Sequence, residues 1–342
     1  EVLVKSSGST VDLVAGSAGI TMAANAVVQA DSTARLASGG DMALGQVVAH
    51  AVSLLATGQV TDAKAADATA LNVDATELRL SAAGAGTEAN PLELGALVLS
   101  AQVGAGGLHV QALGGARMGN TEAMTVNRVG LDGTVSSITD GEQSGLTSAG
   151  DLSWSTGSGA GDHLLVDASI SVTGRLQLQS AGDIRMASGV VISGDEGVYL
   201  SAGVDLRLQQ VQASVGTVVL DVGGDLLDLG SGTDVSAQSL LIRTTADAGV
   251  GAAGQALNVS VDTLALDVGT GSVYIQDAGA LNIAAVDAFG LSAQGIQAAG
   301  SVTLVVAGAL TDDTVGTVIT AQTLNITAAS VGEAGNGLNT DV

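Results

Sequence analysis

Residues 176–220 decide the fold, and they read LQLQSAGDIRMASGVVISGDEGVYLSAGVDLRLQQVQASVGTVVL. Apolar-x-apolar triplets recur in this stretch, beginning at Leu176, Val198 and Val218, which lie 22 and 20 residues apart. The next equivalent triplet begins at Leu240, 22 residues later. The outer side chains of each triplet are aliphatic, and this two-residue alternation is typical of a strand with one buried and one solvated face. A short strand that returns at a constant interval predicts stacked turns.

The corners between these strands recur at the same interval. Gly182-Asp183, Gly203 and Gly224-Asp225 follow one another every 21 residues. Glycine adopts positive φ without strain and aspartate accepts hydrogen bonds from nearby amides, so both suit tight corners. No segment of useful length has the period of a helix. The sequence therefore predicts an all-β fold, a parallel β-solenoid (β-helix) of about 21 residues and three short strands per coil, with roughly 16 coils in 342 residues.

The composition fits a thin aliphatic core and excludes several classes of partner. The chain has 49 glycines, no cysteine, one tryptophan, one phenylalanine and two tyrosines, so it has few large side chains with which to fill a wide interior. The 34 acidic and 10 basic residues give a net charge of −24, which argues against nucleic acid and anionic membranes as partners. Polar residues or glycine interrupt every apolar stretch well before the length of a membrane span, so we expect no membrane insertion.

The regularity of the repeat divides the chain into three segments. The coils are regular over residues 1–111 and 151–342, whereas the rhythm falters over residues 112–150, where Arg117 and Arg128 precede a run rich in Gly, Ser and Thr. We expect one continuous solenoid with longer loops in the middle segment. A loop excursion that presents a binding surface is the alternative, because functional loops are often carried on rigid scaffolds.

A second motif stands above the coil repeat and links the chain to a family. The turn Gly86–Leu92 (GTEANPL) matches Gly332–Leu338 (GEAGNGL), and Ser-Ala-Gly-Asp-apolar coils occur at 148–152 and 180–184. These repeats resemble those of filamentous-haemagglutinin-like large exoproteins. The resemblance implies the right-handed β-helix shaft of a secreted bacterial surface protein involved in cell adhesion. The family's Asn-Pro-Asn-Gly secretion signature is absent from this sequence, and we expect the sequence to be a segment of a longer chain or a filament subunit.

The sequence offers no catalytic, cofactor-binding or metal-ligating residues that we would assign, so we predict that the chain is not an enzyme. His50, His109 and His163 are too far apart in sequence to form a zinc motif. The run at 157–164 (GSGAGDHL) departs by one position from the calcium-binding nonapeptide of other β-rolls. A diffuse Ca²⁺ or salt dependence is the one ionic effect that the acidic composition suggests.

Stacking is expected to bring the acidic corners Asp183, Asp205 and Asp225 together along one edge. Among the aromatic residues, alternation places Trp154 and Phe289 in the core and exposes Tyr199 and Tyr274.

Three functions remain open from the sequence. The first is the non-catalytic structural shaft of a large secreted adhesin or exoprotein at the bacterial cell surface. The second is a subunit of a self-assembling extracellular filament, in which copies or neighbouring solenoid segments stack end to end. The third is a β-helix module that binds host or surface glycans through the loops of residues 112–150.

Overall fold

The structure is a computed structural model that describes residues 2–64, 70–245, 247–312 and 318–342. These residues form strands and turns, and no helix occurs among them, so none of them belongs to a helix that could cross a membrane. The chain packs into two compact units, Glu1–Gly174 and Arg175–Val342. These units are defined by packing, whereas the sequence segments that meet at residues 111 and 150 are defined by the regularity of the repeat.

Unit 1 contains the strands β1 (Val2–Ser6), β2 (Val11–Ala15), β3 (Ile20–Thr21), β4 (Ala26–Ala30), β5 (Thr33–Ser38), β6 (Met42–Leu44), β7 (Gln46–Ala56), β8 (Gln59–Asp62), β9 (Val73–Ala82), β10 (Gly84–Ala85), β11 (Leu92–Leu94), β12 (Val98–Val103), β13 (Leu108–Ala112), β14 (Ala116–Met118), β15 (Asn120–Thr121), β16 (Met124–Val129), β17 (Val135–Asp140), β18 (Gln143–Ser144), β19 (Leu146–Ser148), β20 (Leu152–Ser155), β21 (Leu164–Val166) and β22 (Ile170–Val172).

Unit 2 contains the strands β23 (Arg175–Ser180), β24 (Ile184–Met186), β25 (Val191–Gly194), β26 (Gly197–Ala202), β27 (Leu206–Leu208), β28 (Gln210–Gln212), β29 (Thr217–Val222), β30 (Leu226–Asp228), β31 (Val235–Thr244), β32 (Leu257–Val268), β33 (Val273–Asp277), β34 (Leu281–Ile283), β35 (Ala285–Ala288), β36 (Leu291–Gln294), β37 (Ile296–Ala298), β38 (Ser301–Asp312), β39 (Ile319–Thr320), β40 (Thr323–Val331) and β41 (Thr340–Asp341).

Both units are parallel β-solenoids, which confirms the predicted fold. Apart from the antiparallel pairs β15–β18, β16–β17 and β35–β36, the strands pair in parallel from one turn to the next, as Leu176 does with Val198, Val198 with Val218 and Val218 with Leu240. These four side chains are fully buried in an internal aliphatic column. The chain makes about 15 turns of about 22 residues. The predicted 16 coils of 21 residues differ slightly from this because inserted hairpins and loops use residues that the prediction assigned to turns.

Buried serines close the corners that the Ser-Ala-Gly-Asp motif forms. The Ser180 hydroxyl donates to the Asp183 carbonyl at 3.0 Å, and the Ser148 hydroxyl donates in the same way to Asp151 at 3.4 Å. Ser38 and Asp41 repeat the bond at 2.9 Å. Each serine hydroxyl therefore satisfies a main-chain carbonyl three residues later. This explains why a polar residue recurs at the buried end of an otherwise apolar strand.

Candidate functional site

Two hairpins in the described part of the chain leave the solenoid and fold over its outer faces. The long hairpin consists of residues 120–144 (β15 to β18), and the short hairpin consists of residues 285–294 (β35 and β36). Each hairpin interrupts a solenoid strand at a point opposite one outward-facing residue of the neighbouring strand. Strand β12 pairs with β14 up to Leu99 and with β19 from Ala101, so the long hairpin departs opposite Ser100. The short hairpin departs opposite Ala265 in the same way.

The same arrangement closes both insertions at their bases. The amide of Gly145 donates to the Gly119 carbonyl at 3.1 Å, and the amide of Gly295 donates to the Ala284 carbonyl at 3.2 Å. Both returning glycines have positive φ, 61° and 66°. Their carbonyls then accept the ladder hydrogen bonds from Ala101 (3.0 Å) and Leu266 (2.8 Å). The strand therefore resumes in register after each hairpin.

The long hairpin crosses the turns of unit 1 one after another. It lies over the polar column, the outward side chains that stack from Asp12 through Arg35, Ser53, Arg79 and Ser100. At its base, Thr121 bonds to Ser100 at 2.6 Å and Gln143 donates to the Leu80 carbonyl at 3.0 Å. Further along the hairpin, Asp140 accepts hydrogen bonds from Ser53 at 2.7 Å and from Arg35 at 2.9 Å. Arg128 then donates to Asp12 at 2.7 Å. These contacts join strands β12, β9, β7, β5 and β2.

A buried ion network fastens this hairpin. Arg35 lies between Asp12 (3.1 Å) and Asp140 (2.9 Å), and the exposed fractions of these three side chains are 12%, 3% and 8%. Arg128 provides a second cation for Asp12. Burial tends to lower the pKa of Arg35, but the hydrogen bonds and charges of Asp140 and Asp12 outweigh it, so the pKa of Arg35 is raised. The guanidinium is therefore firmly charged.

The short hairpin covers an apolar column in unit 2. Tyr199, Val219, Leu241 and Ala265 stack in register on successive turns and point outward. Val219, Leu241 and Ala265 are nevertheless fully buried, because Val286 of the hairpin packs on them. One feature of the sequence indicated this cover. The triplets beginning at Val218 and Leu240 have an aliphatic residue at their middle position, where a solvent-exposed strand usually has a polar residue.

Phe289 lies at the turn of the short hairpin and not in the internal core that the sequence suggested. Phe289 and Gly290 form its two-residue turn, with φ of 54° and 74°, which is the geometry of a type I′ turn. Asparagine and glycine usually occupy such positions, since a bulky side chain is strained there. The Phe289 ring stacks on Tyr199 at 5.7 Å and lies 5.7 Å from the Arg175 guanidinium. Tyr199, which the sequence placed in solvent, is therefore half-buried, and burial raises its pKa.

The Gly-x₅-Leu turn that the sequence identified is a recurring loop with one geometry. Two reciprocal main-chain hydrogen bonds close each copy, between Thr87 and Asn90, between Ala252 and Gln255, and between Glu333 and Asn336. The loop at 251–257 leaves the ladder opposite Tyr274, since Val250 pairs with Val273 and Leu257 with Ile275. Beside Tyr274 lies an open groove of about 460 Å³ that Asp228, Gly230, Asn258 and Gln276 also line. Trp154 is buried, as predicted.

The carboxylates of the 157–164 run and of the acidic corners have structural partners. Asp162 of the 157–164 run accepts the Gly159 amide at 2.8 Å and so closes its own turn. The acidic corners do stack, and each carboxylate accepts the amide of the next corner, Asp183 from Asp205 at 3.0 Å and Asp205 from Asp225 at 3.1 Å. Across the described ranges, no group of three or more His, Cys, Asp or Glu side chains is arranged to hold a metal ion.

His109 makes the stability of unit 1 pH-dependent. Its Nδ1 is 2.9 Å from the Ser153 hydroxyl, and burial lowers its pKa below 6.5 although the charges of Glu88 and Asp151 oppose this. A lowered pKa means that folding favours the neutral ring, so stability is lost as the pH falls below 6.5. We expect the unfolding free energy of the wild type, relative to His109→Gln, to fall as the pH is lowered below 6.5. An NMR titration of the imidazole that gave a pKa of 6.5 or above would contradict this.

Comparisons of this chain with protein-family models, with curated proteins and with solved structures found no match.

Proposed function

We propose that this chain is a structural segment in the shaft of a large secreted bacterial surface protein of the filamentous-haemagglutinin-like type, without a catalytic role. The observation that carries the proposal is the long hairpin, whose side chains bond to five successive turns of unit 1. The short hairpin adds a second such cover over four turns of unit 2. A shaft at the cell surface must resist forces that separate its turns, and both hairpins act against that separation.

The physical reason lies in the contacts of a solenoid. Each turn touches only its neighbours, so an unbraced stack can open at one interface at a time. A hairpin bonded to five turns, which span about 20 Å at about 4.8 Å per turn, couples those interfaces. Opening any one of them requires the hairpin to detach or its base to unfold. Detachment is costly because it breaks the two ion pairs between the hairpin and the solenoid, Arg35–Asp140 and Arg128–Asp12.

Single-molecule force spectroscopy tests this function. The chain contains no cysteine, so a cysteine added at each end gives specific tethers. We expect the turns of unit 1 that the long hairpin covers to unfold together in one high-force event. In Asp140→Ala this event should split into smaller steps at lower force. Unfolding one turn at a time at the same low force in both proteins would contradict a shaft role.

A specific observation also favours the filament alternative. Val129, Leu131 and Val135 at the tip of the long hairpin are 68%, 112% and 65% exposed, and they follow Arg128, whose partner Asp12 lies on β2. Exposed aliphatic clusters often mark interaction sites, and a neighbouring solenoid segment or another copy is the partner expected of a filament subunit. Electron microscopy of native material, with intact mass from the same sample, separates the two proposals. Uniform fibres of 33.0 kDa subunits would favour the filament, and a much larger single chain would favour the shaft.

A further inference from the structure

Two buried carboxylates face each other around a glycine-rich loop of unit 2. Residues 228–234 read DLGSGTD, and they connect the end of β30 to the start of β31. Asp234 is fully buried and Asp228 is 7% exposed. The Asp234 Oδ2 accepts the Asn258 amide at 2.7 Å, and Asp228 Oδ1 accepts the Gly230 amide. The second oxygen of Asp234, Oδ1, is buried and has no hydrogen-bond partner.

Gly230 leaves open the space into which these oxygens point. A Cβ atom added to Gly230 would lie 3.1 Å from Asp234 Oδ1, 3.4 Å from Asp228 Oδ1 and 3.5 Å from the main-chain oxygen of Gln209. Three oxygens, two of them from carboxylates, therefore lie within 3.5 Å of one point beside the glycine. Asp228 and Gly230 also line the open groove beside Tyr274, so an ion and its water molecules have a path to the site.

We propose that Asp228, Asp234 and the Gln209 carbonyl bind a divalent cation, Ca²⁺, beside Gly230. Carboxylate and carbonyl oxygens are the ligands that Ca²⁺ prefers, and water from the groove completes its coordination. Two facing buried carboxylates are costly unless positive charge lies between them. Within the described residues, no Lys, Arg or His forms an ion pair with either carboxylate.

A proton is the competitor for this position. Burial, together with the neighbouring Asp228 carboxylate, raises the pKa of Asp234 to about 7, although the hydrogen bonds from Asn258 oppose the rise. Below that pH one proton neutralises the pair, and above it the pair is free to take the cation.

Isothermal titration of the full chain with CaCl₂ at about pH 8, where the proton competes weakly, tests the site. We expect one saturable site with a Kd of about 0.1–1 mM. Asp234→Asn removes a ligand charge and Gly230→Ala places a methyl group among the three oxygens, so both should weaken binding at least about tenfold. Asp287→Asn, which removes an exposed charge elsewhere in unit 2, should bind like the wild type.

Thermal unfolding supplies a readout that does not depend on the heat of binding. About 10 mM Ca²⁺ should raise the Tm of the wild type and of Asp287→Asn clearly more than that of Asp234→Asn. Asparagine needs no counter-ion there, so Asp234→Asn should remain folded at high pH. No saturable binding by the wild type up to about 10 mM, or equal binding by Asp234→Asn, would overturn the proposal. A wild-type Tm that responds to pH and not to Ca²⁺ would show that the pair binds only a proton.

Discussion

Gly295→Ala is expected to destabilise unit 2 by about 2–5 kcal/mol, one of the two largest effects that we predict for a single substitution. Gly295 has a φ of 66°, which costs an alanine about 1–2 kcal/mol. The added methyl group would also lie 2.2 Å from the Val318 carbonyl oxygen. That oxygen belongs to the backbone of the next turn and accepts the Ile296 amide at 2.8 Å, so it cannot move without breaking the ladder.

Gly290→Ala is the matched control for this substitution. Gly290 also has positive φ, 74°, but no atom lies within 4 Å of the position that an alanine Cβ would take there. It should therefore show only the backbone strain, about 1–2 kcal/mol. The two variants are compared by their Tm and by the hydrogen-exchange rates of the Leu266 and Ile296 amides. If the two variants lose equal stability, the close approach of Val318 to residue 295 does not constrain the backbone where the chain returns from the hairpin.

The sequence predicted the ladders and corners because their causes are local. Alternation identifies the inward residues of a triplet such as 198–200, and a Gly-Asp pair identifies a corner whatever lies elsewhere in the chain. The acidic corners from Asp183 to Asp225 stack as expected, since a constant interval fixes which residues meet. The Gly-x₅-Leu loops were only partly predictable from the sequence, because the copy at 251–257 lacks the asparagine that the other two copies share.

The hairpins could not be predicted in the same way, because their contacts join residues far apart in sequence. Asp140 meets Arg35 across 105 positions, and nothing near either residue indicates the other. Two weak signals were present. Apolar residues occupy outward positions at Val219 and Leu241, and Gly145 and Gly295 each precede the glycine of an Ala-Gly corner by five residues. Asp228 and Asp234 are neighbours in sequence, but their burial depends on Asn258 of the following turn.

Asp140→Ala is the second substitution with a large expected effect, because it removes the anchor of the long hairpin. One Asp140 oxygen accepts from both the Arg35 Nε (2.9 Å) and the Ser53 hydroxyl (2.7 Å). Ser53 is fully buried, so its hydroxyl would lose its partner without gaining water. Breaking one side of a buried ion pair usually costs about 3–5 kcal/mol. Arg35 keeps Asp12 as a second partner, so we expect a loss of about 3 kcal/mol, at the lower end of this range.

Glu142→Ala gives the matched control, since Glu142 is an exposed acid two residues from Asp140 and its loss changes the net charge equally. We expect the unfolding free energy of the control to change by no more than about 0.5 kcal/mol.

In Asp140→Ala, trypsin should cut after Arg128 faster than in the wild type, because release of the hairpin exposes that bond. The amides of β16 and β17 should also exchange faster. Ser53→Ala removes the hydroxyl that Asp140→Ala leaves without a partner. The double variant Ser53→Ala/Asp140→Ala should therefore lose less stability than the sum of the two single losses. Additive losses, with unchanged cleavage at Arg128, would mean that the hairpin is held by the packing of Met124 and Val126 and that the ion network contributes little.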